Sequence, residues 1–419
     1  MNRTIQPAFT QPNKLEIQFP KELELQNGVK LFWMDDVKDA AVKLDIEWCA
    51  GSKYQHKKLA ANFTNKLLLS GNDKKLGSQI AEEIDFYGGY LQHEMDRDHA
   101  GVTLYGLNEN MSAVFGVFAD AFMNCTFPTL EFEKERSASL MRFKIDSKKV
   151  KTVCSRKFTQ AIFGEDSAYG QLAEISDFES IQREDVIHFY KEFYLSTCPT
   201  IFLVGQVDDD FIQRLNEWSG LLKPIVKKYQ PIDPIQSKGR INEKVPNALQ
   251  AAIRFGRLFV DKNHPDYFKF QLLNTAFGGY FGSRLMTNIR EDKGYTYGIG
   301  STAAVMENAS YIYISTEVGV EVKEATINEI LSEMERLRTE LIPEEELARV
   351  KNYMLGDFLR HADGAIAMME NFKNIHFNQL KNSYYSDFIS AIHAATAEEL
   401  NEIANRYFNP ADYLIVTAG

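Results

Sequence analysis

Cysteine is scarce. The chain has 419 residues and four thiols, Cys49, Cys125, Cys154 and Cys198, none in CxxC spacing. That excludes a zinc knuckle and a disulfide framework, and the four read as ordinary buried thiols. Long apolar runs are missing too. None reaches the roughly 18 residues that cross a bilayer, so no membrane partner is expected. Residues 1–20 lack the apolar stretch of a secretory leader, which points to the cytoplasm, or to the periplasm if a leader has been removed. Positive charge is in deficit: 47 Lys and Arg stand against 58 Asp and Glu, a formal net charge of −11. A general nucleic-acid binder needs a basic face to displace counterions, so nucleic acid is excluded as a partner. A local basic patch inside a cavity is compatible with this balance. The eight histidines (residues 56, 93, 99, 188, 264, 361, 376 and 393) show no metal-ligand pairing on a helix.

What is present is the composition of a globular protein, 44% hydrophobic and 25% charged, long enough for two domains. The chain also repeats itself. A helix beginning at Arg183 leads into the apolar run Thr200-Ile201-Phe202-Leu203-Val204-Gly205, and the C-terminus repeats this with Leu414-Ile415-Val416-Thr417-Ala418-Gly419. At an offset of 214, Val186 falls on Leu400, Phe193 on Tyr407, Ile201 on Ile415 and Gly205 on Gly419. At 215, Pro128 and Phe132 fall on Pro343 and Leu347, each pair opening a long helix. Two copies of one α/β unit account for both matches. The expected boundaries are 1–221, a linker over 222–245 rich in proline (Pro224, Pro231, Pro234), and 246–419.

Alternation predicts strands over 30–33 and 41–49, and helices over 59–69, 80–87, 110–124 and 128–149, the last with a stripe at Phe132, Leu140 and Phe143. The second half predicts strands over 251–255, 299–304 and 310–317, with helices over 265–277, 284–292, 322–337 and 343–359. Each half then reads as a mostly antiparallel sheet covered by helices, an α+β architecture.

Several short blocks, in fixed order over nearly the whole chain, resemble the pitrilysin/insulinase-type zinc metallopeptidases. The helix Leu59-Ala60-Ala61-Asn62-Phe63-Thr64-Asn65-Lys66-Leu67 resembles the one that carries H-x-x-E-H in that family. There, two histidines on one helical face bind zinc, the glutamate takes a proton from the bound water, and an acidic ligand follows about 76 residues later. Here the histidine positions are Asn62 and Lys66, the base position is Asn65, and the count lands on Arg142. Two of these are cations, so no zinc is expected in this chain. Gly88-Gly89-Tyr90-Leu91-Gln92-His93 resembles the family's G-G-x-x-N-A edge strand. The resemblance implies that Gly89, Tyr90, Gln92 and His93 lie along an extended substrate, with Gln92 and His93 departing from the pattern.

The best-preserved block is Phe277-Gly278-Gly279-Tyr280-Phe281-Gly282-Ser283-Arg284-Leu285, followed by Arg290 and, seven residues on, Tyr297. The resemblance implies that Tyr297 donates to the oxyanion of the tetrahedral intermediate and that Arg290 holds a substrate carbonyl. It also implies a clam-shell of two homologous domains like those of mitochondrial processing peptidase. Small family members can work in pairs, one chain carrying zinc and the other the Arg/Tyr pair. This chain then reads as the second kind, with a homologous zinc-bearing subunit as partner and unfolded, extended peptides as substrate. A catalytically inactive binding or scaffold protein, including a homodimer, is the alternative. So is a structural role: Arg290 in a helix-end cluster and Tyr297 filling a strand. The Gly278–Gly282 run lacks the Gly-Lys-Ser/Thr ending of a phosphate loop and reads as close helix packing. Lys57-Lys58 reads as a solvated helix end.

Overall fold

The β-branched and apolar run Thr200–Val204 forms a strand buried at four of its five positions, the expected result for a strand covered on both faces. Leu414–Ala418 is buried in nearly the same way. The computed structural model describes residues 18–225 and 237–419. Pro231 and Pro234 of the expected linker lie outside the described residues. The rest fall into two compact units, 19–225 with 306–309, and 18, 237–305 and 310–419.

The first unit contains a six-stranded sheet of β1 (Lys21–Glu24), β2 (Lys30–Met34), β3 (Ala41–Trp48), β4 (Tyr90–Met95), β5 (Ala100–Leu107) and β6 (Thr200–Val204), in the order β1-β2-β6-β3-β5-β4. The second contains β7 (Gly239–Glu243), β8 (Gln250–Phe259), β9 (Thr296–Val305), β10 (Ser310–Gly319) and β11 (Leu414–Ala418), in the order β7-β11-β8-β10-β9. Without β1 the topologies are identical. β2 runs parallel to β6 as β7 does to β11, and every other pair is antiparallel. β7 lies inside the stretch expected as linker: its residues pair one for one with the C-terminal strand.

The repeat extends to its glycines. Gly205 and Gly419 each follow the strand that ends a copy, with φ of 131° and 151°. A Cβ on Gly205 would lie 2.9 Å from Val42, and one on Gly419 2.7 Å from Ala251, on the neighbouring strand in each copy. Backbone geometry and close approach both require glycine there.

Helices cover the sheets. In the first unit α1 (Ala60–Leu67) buries Ala60, Ala61, Phe63, Thr64 and Leu67. It is followed by α2 (Gly77–Phe86), α3 (Met111–Met123), α4 (Thr129–Asp146) and α5 (Val150–Phe163). Pro128 precedes α4, with Glu131 in its first turn and Lys144 in its last, both favourable to the helix dipole. Phe132 is buried, and Leu140 and Phe143 pack against the same core. The core centres on Trp48, whose ring lies 5.3 Å from Phe122 and 5.0 Å from Tyr194.

Several details differ from the sequence reading. The helix expected over 128–149 stops at Asp146, and α5 begins after a three-residue turn. The helix expected over 265–277 becomes Tyr267–Asn274 plus a π-helical turn at Thr275–Gly279, and a second π-helical segment spans Met286–Asp292. β5 was not anticipated; it is buried on both faces and lacks the alternation of a half-covered strand. Cys154 is buried, but Cys49 and Cys198 are exposed and Cys125 is half-buried. Cys49 sits just past the end of β3, and Cys198 in the turn before β6, where sheet burial ends. Gly278 allows close approach of a strand rather than of a helix alone, since a Cβ there would lie 2.8 Å from Ser301 of β9 and 3.0 Å from Leu285.

Candidate functional site

The first unit brings three of the four zinc-motif positions to one cavity of about 480 Å³. Asn62 and Lys66 of α1 and Arg142 of α4 all line it. Spacing of four on α1 places Asn62 and Lys66 on one face. Across from them α4 presents Glu135, Ser139 and Arg142, at i, i+4 and i+7. Lys66 Nζ lies 2.9 Å from Glu135 Oε1, and Arg142 Nη2 reaches the same oxygen at 3.0 Å. Ser139 donates to it at 2.6 Å. Burial pushes the Glu135 carboxyl up, but the hydrogen bonds from Ser139 and Lys66 and the charges of Lys66 and Arg142 prevail and hold it below the usual range.

Asn65 departs from this group. It is buried, and its side-chain amide donates to the Gly101 carbonyl at 3.1 Å and to the Tyr194 hydroxyl at 3.2 Å. The position where the motif has its base is here a structural tie between α1, β5 and the core. Glu135 and Ser139 were missed in the sequence, although their spacing from Arg142 is a readable helical signal. Arg97 and Arg156, which also line the cavity, come from a loop and another helix and left no signal. Lys58, read as a solvated helix end, lines it too, 3.7 Å from Asp177.

β4 is an edge strand, paired only with β5 among the described residues. Gly89 lies just before it, where a Cβ would crowd Val114 and Ile84. Tyr90 and Gln92 are exposed and His93 is half-buried, following the alternation of the strand. Burial pushes the His93 imidazole down to about 4, only partly offset by the Asn65 backbone, so the ring is neutral at pH 7. Its Nδ1 is buried without a hydrogen-bond partner.

In the second unit Tyr297 sits at a β-bulge on β9, again an edge strand. Thr296 pairs with Val318 and Ile299 with Thr316, so Tyr297 and Gly298 together oppose Glu317 alone. The bulge is held by two hydroxyls. Thr296 donates to the Glu317 carbonyl at 2.8 Å, and Thr316 donates to the Gly298 carbonyl at 2.9 Å. Bulges re-aim side chains, and Tyr297 is 94% exposed. It does not fill the sheet. Arg290, in the segment Met286–Asp292, lies 4.6 Å above the Phe281 ring centroid. The Tyr295 N–H bonds the Ile289 carbonyl at 3.0 Å, tying that segment to the start of β9.

Residues 34–173 match the family model "Insulinase (Peptidase family M16)", and residues 180–354 match "Peptidase M16 inactive domain". The chain belongs to the M16 peptidase family. This M16 chain is 21% identical over 398 residues to a Bacillus subtilis protein named uncharacterized zinc protease YmxG, covering 94% of this chain and 97% of that one. An uncharacterized zinc protease of Rickettsia felis is 24% identical, covering 80% and 82%. Among solved structures, an M16 inactive-domain protein from Pseudomonas fluorescens superposes with a TM-score of 0.86 at 22% identity, covering 96% of this chain and 98% of that one. A Helicobacter pylori protease superposes at 0.84 and 16% identity, covering 96% and 100%. These likenesses show the two-domain M16 fold.

The zinc implied by the family does not fit the side chains at the motif positions. An amide, an ammonium and a guanidinium stand there, and the neighbouring carboxylate already binds both cations. Zinc needs imidazole, thiolate or carboxylate lone pairs. Among the described residues no group of three or more His, Cys, Asp or Glu is placed to hold a metal. No helix among them is long and apolar enough to cross a membrane.

Proposed function

We propose that this chain is the non-catalytic subunit of a heterodimeric bacterial M16 endopeptidase, acting in the cytoplasm on unfolded peptides. A homologous partner chain would carry the zinc, which supplies Lewis-acid activation of water. This chain would supply Arg290 and Tyr297. The Tyr297 phenol donates to the oxyanion that develops on the substrate carbonyl, and Arg290 holds a neighbouring substrate carbonyl. A donor aimed at developing charge is worth more in the transition state than in the ground state. The observation that carries the reading is Tyr297 itself: a large aromatic, 94% exposed on a pinned bulge. Such a side chain contributes nothing to its own core. Arg290, stacked on the exposed Phe281, is held beside the same strand.

The test mixes this chain with a homologous chain bearing H-x-x-E-H and follows cleavage of an unstructured peptide. Each chain alone is expected to be inactive. Tyr297→Phe should lower kcat of the mixture by about 10²-fold, as loss of one oxyanion donor does. An unchanged mixture would overturn the proposal. The second reading, a peptide-binding protein without catalytic role, is favoured by the open edge of β4. Under it the mixture stays inactive while this chain alone binds extended peptides.

A further inference from the structure

Five cationic side chains and no acidic one line the cavity at the zinc-motif positions: Lys58, Lys66, Arg97, Arg142 and Arg156 beside Asn62. They come from the loop before α1, from α1, from the loop after β4, from α4 and from α5. Convergence from five places in the sequence distinguishes them from a solvated charged face on one helix. Lys66 and Arg142 share one carboxylate, Glu135. Arg156 reaches Glu174 at 2.6 Å and lies 5.1 Å from the Phe143 ring centroid. Arg97 donates to the Tyr169 carbonyl and lies 5.6 Å from the Phe163 ring centroid. Stacked, anchored guanidinium groups are pre-organised for bidentate binding of a carboxylate.

We infer that this cavity is a carboxylate-binding site that selects acidic peptides. A peptide is the fitting source because the cavity adjoins the open edge strand. Arg97 follows the end of β4 by two residues, and α1, which carries Asn62 and Lys66, packs against β4. Main-chain pairing along β4 would hold any extended segment, and the cations would choose those bearing Asp, Glu or a free C-terminus. The formal net charge of −11 makes the inference discriminating. Long-range electrostatics of this chain repel acidic peptides, so a preference for them can arise only from a local cationic site. The inference rests on the peptide-binding part of the proposed function and is independent of catalysis in trans.

The experiment measures binding of fluorescent extended peptides to this chain alone by anisotropy. One peptide carries consecutive Glu residues, a second has Gln in their place, and both are prepared with free and amidated C-termini. The Glu peptide should bind about tenfold more tightly than the Gln peptide at low salt, with the gap narrowing as salt rises. If amidation weakens both peptides and the Glu-to-Gln change weakens neither, the bound carboxylate is the C-terminus; if the Glu-to-Gln change weakens binding whether or not the C-terminus is amidated, it is a side chain. The double variant Lys66→Gln/Arg142→Gln should lose the preference while keeping the affinity of the Gln peptide. Both side chains are substantially exposed, and an unchanged Tm checks the fold. One affinity shared by all four peptides would overturn the inference while leaving catalysis in trans standing, and so would binding of none of the peptides. A Tyr297→Phe mixture of full activity would do the reverse.

Discussion

Lys66 on α1 reaches Glu135 on α4, with Nζ 2.9 Å from Oε1. This ion pair joins the two helices at the positions that the family resemblance assigns to zinc ligands. Arg142 joins the same carboxylate at 3.0 Å. The two helices are held together by this charge cluster, which offers no free lone pairs to a metal.

Thermal unfolding should therefore be indifferent to zinc. A ligand that binds only the native state stabilises it by RT ln(1 + [L]/Kd). Adding zinc or removing it with a chelator should leave Tm unchanged in a calorimetric scan. A rise of several degrees at micromolar zinc would contradict the donor chemistry described above.

Asn65→Ala should destabilise the chain by about 1–3 kcal/mol, the cost of leaving buried partners unsatisfied. The buried amide donates to the Gly101 carbonyl and the Tyr194 hydroxyl, and alanine offers neither bond. Urea unfolding measures the change. Asn65→Glu, which would restore the motif's base, should also be destabilising, because a carboxylate cannot donate to either group.

His93 sets part of the acid limit. Its folded-state pKa is near 4, below the 6.5 of an unperturbed imidazole. As pH falls from about 6.5 to about 4, the unfolded chain takes up this proton and the native chain does not, so stability declines through that window. His93→Ala, the residue of the family pattern, should flatten that limb of a stability-versus-pH curve measured by denaturant unfolding. An unaltered limb would assign it to other groups.

Thr316→Val should disturb the bulge without touching Tyr297. The Thr316 hydroxyl donates to the Gly298 carbonyl at 2.9 Å. Its loss should cost about 1 kcal/mol in stability and lower activity of the two-chain mixture. Thr316→Ser, which keeps the hydroxyl, should recover most of that activity. Loss in Thr316→Ser with none in Thr316→Val would indicate a packing role for the methyl group instead.

Much of the fold was legible because it depends on local periodicity. The duplicated run ending at Gly205 and Gly419 predicted two copies, and both glycines meet the same backbone demand. β5 escaped because a strand buried on both faces has no alternation, and β7 because its pairing comes from the C-terminus. At the site, helical spacing puts Asn62 and Lys66 on one face of α1, and Arg142 was found by the interval that the family resemblance implies. Asn65 lies in the same motif, yet its buried amide bonds depend on β5 and Tyr194, which no spacing encodes.

The sequence by itself determined the duplication and the family, and it placed Asn62, Lys66 and Arg142 at the intervals where the resemblance expects metal ligands, because each is a matter of residue type at a fixed interval. Only the tertiary structure decided that Tyr297 is turned outward on a bulge and that Arg97 and Arg156 join Lys66 around one cavity. Burial and through-space charge depend on which distant segments meet, and interval along the chain carries no record of that.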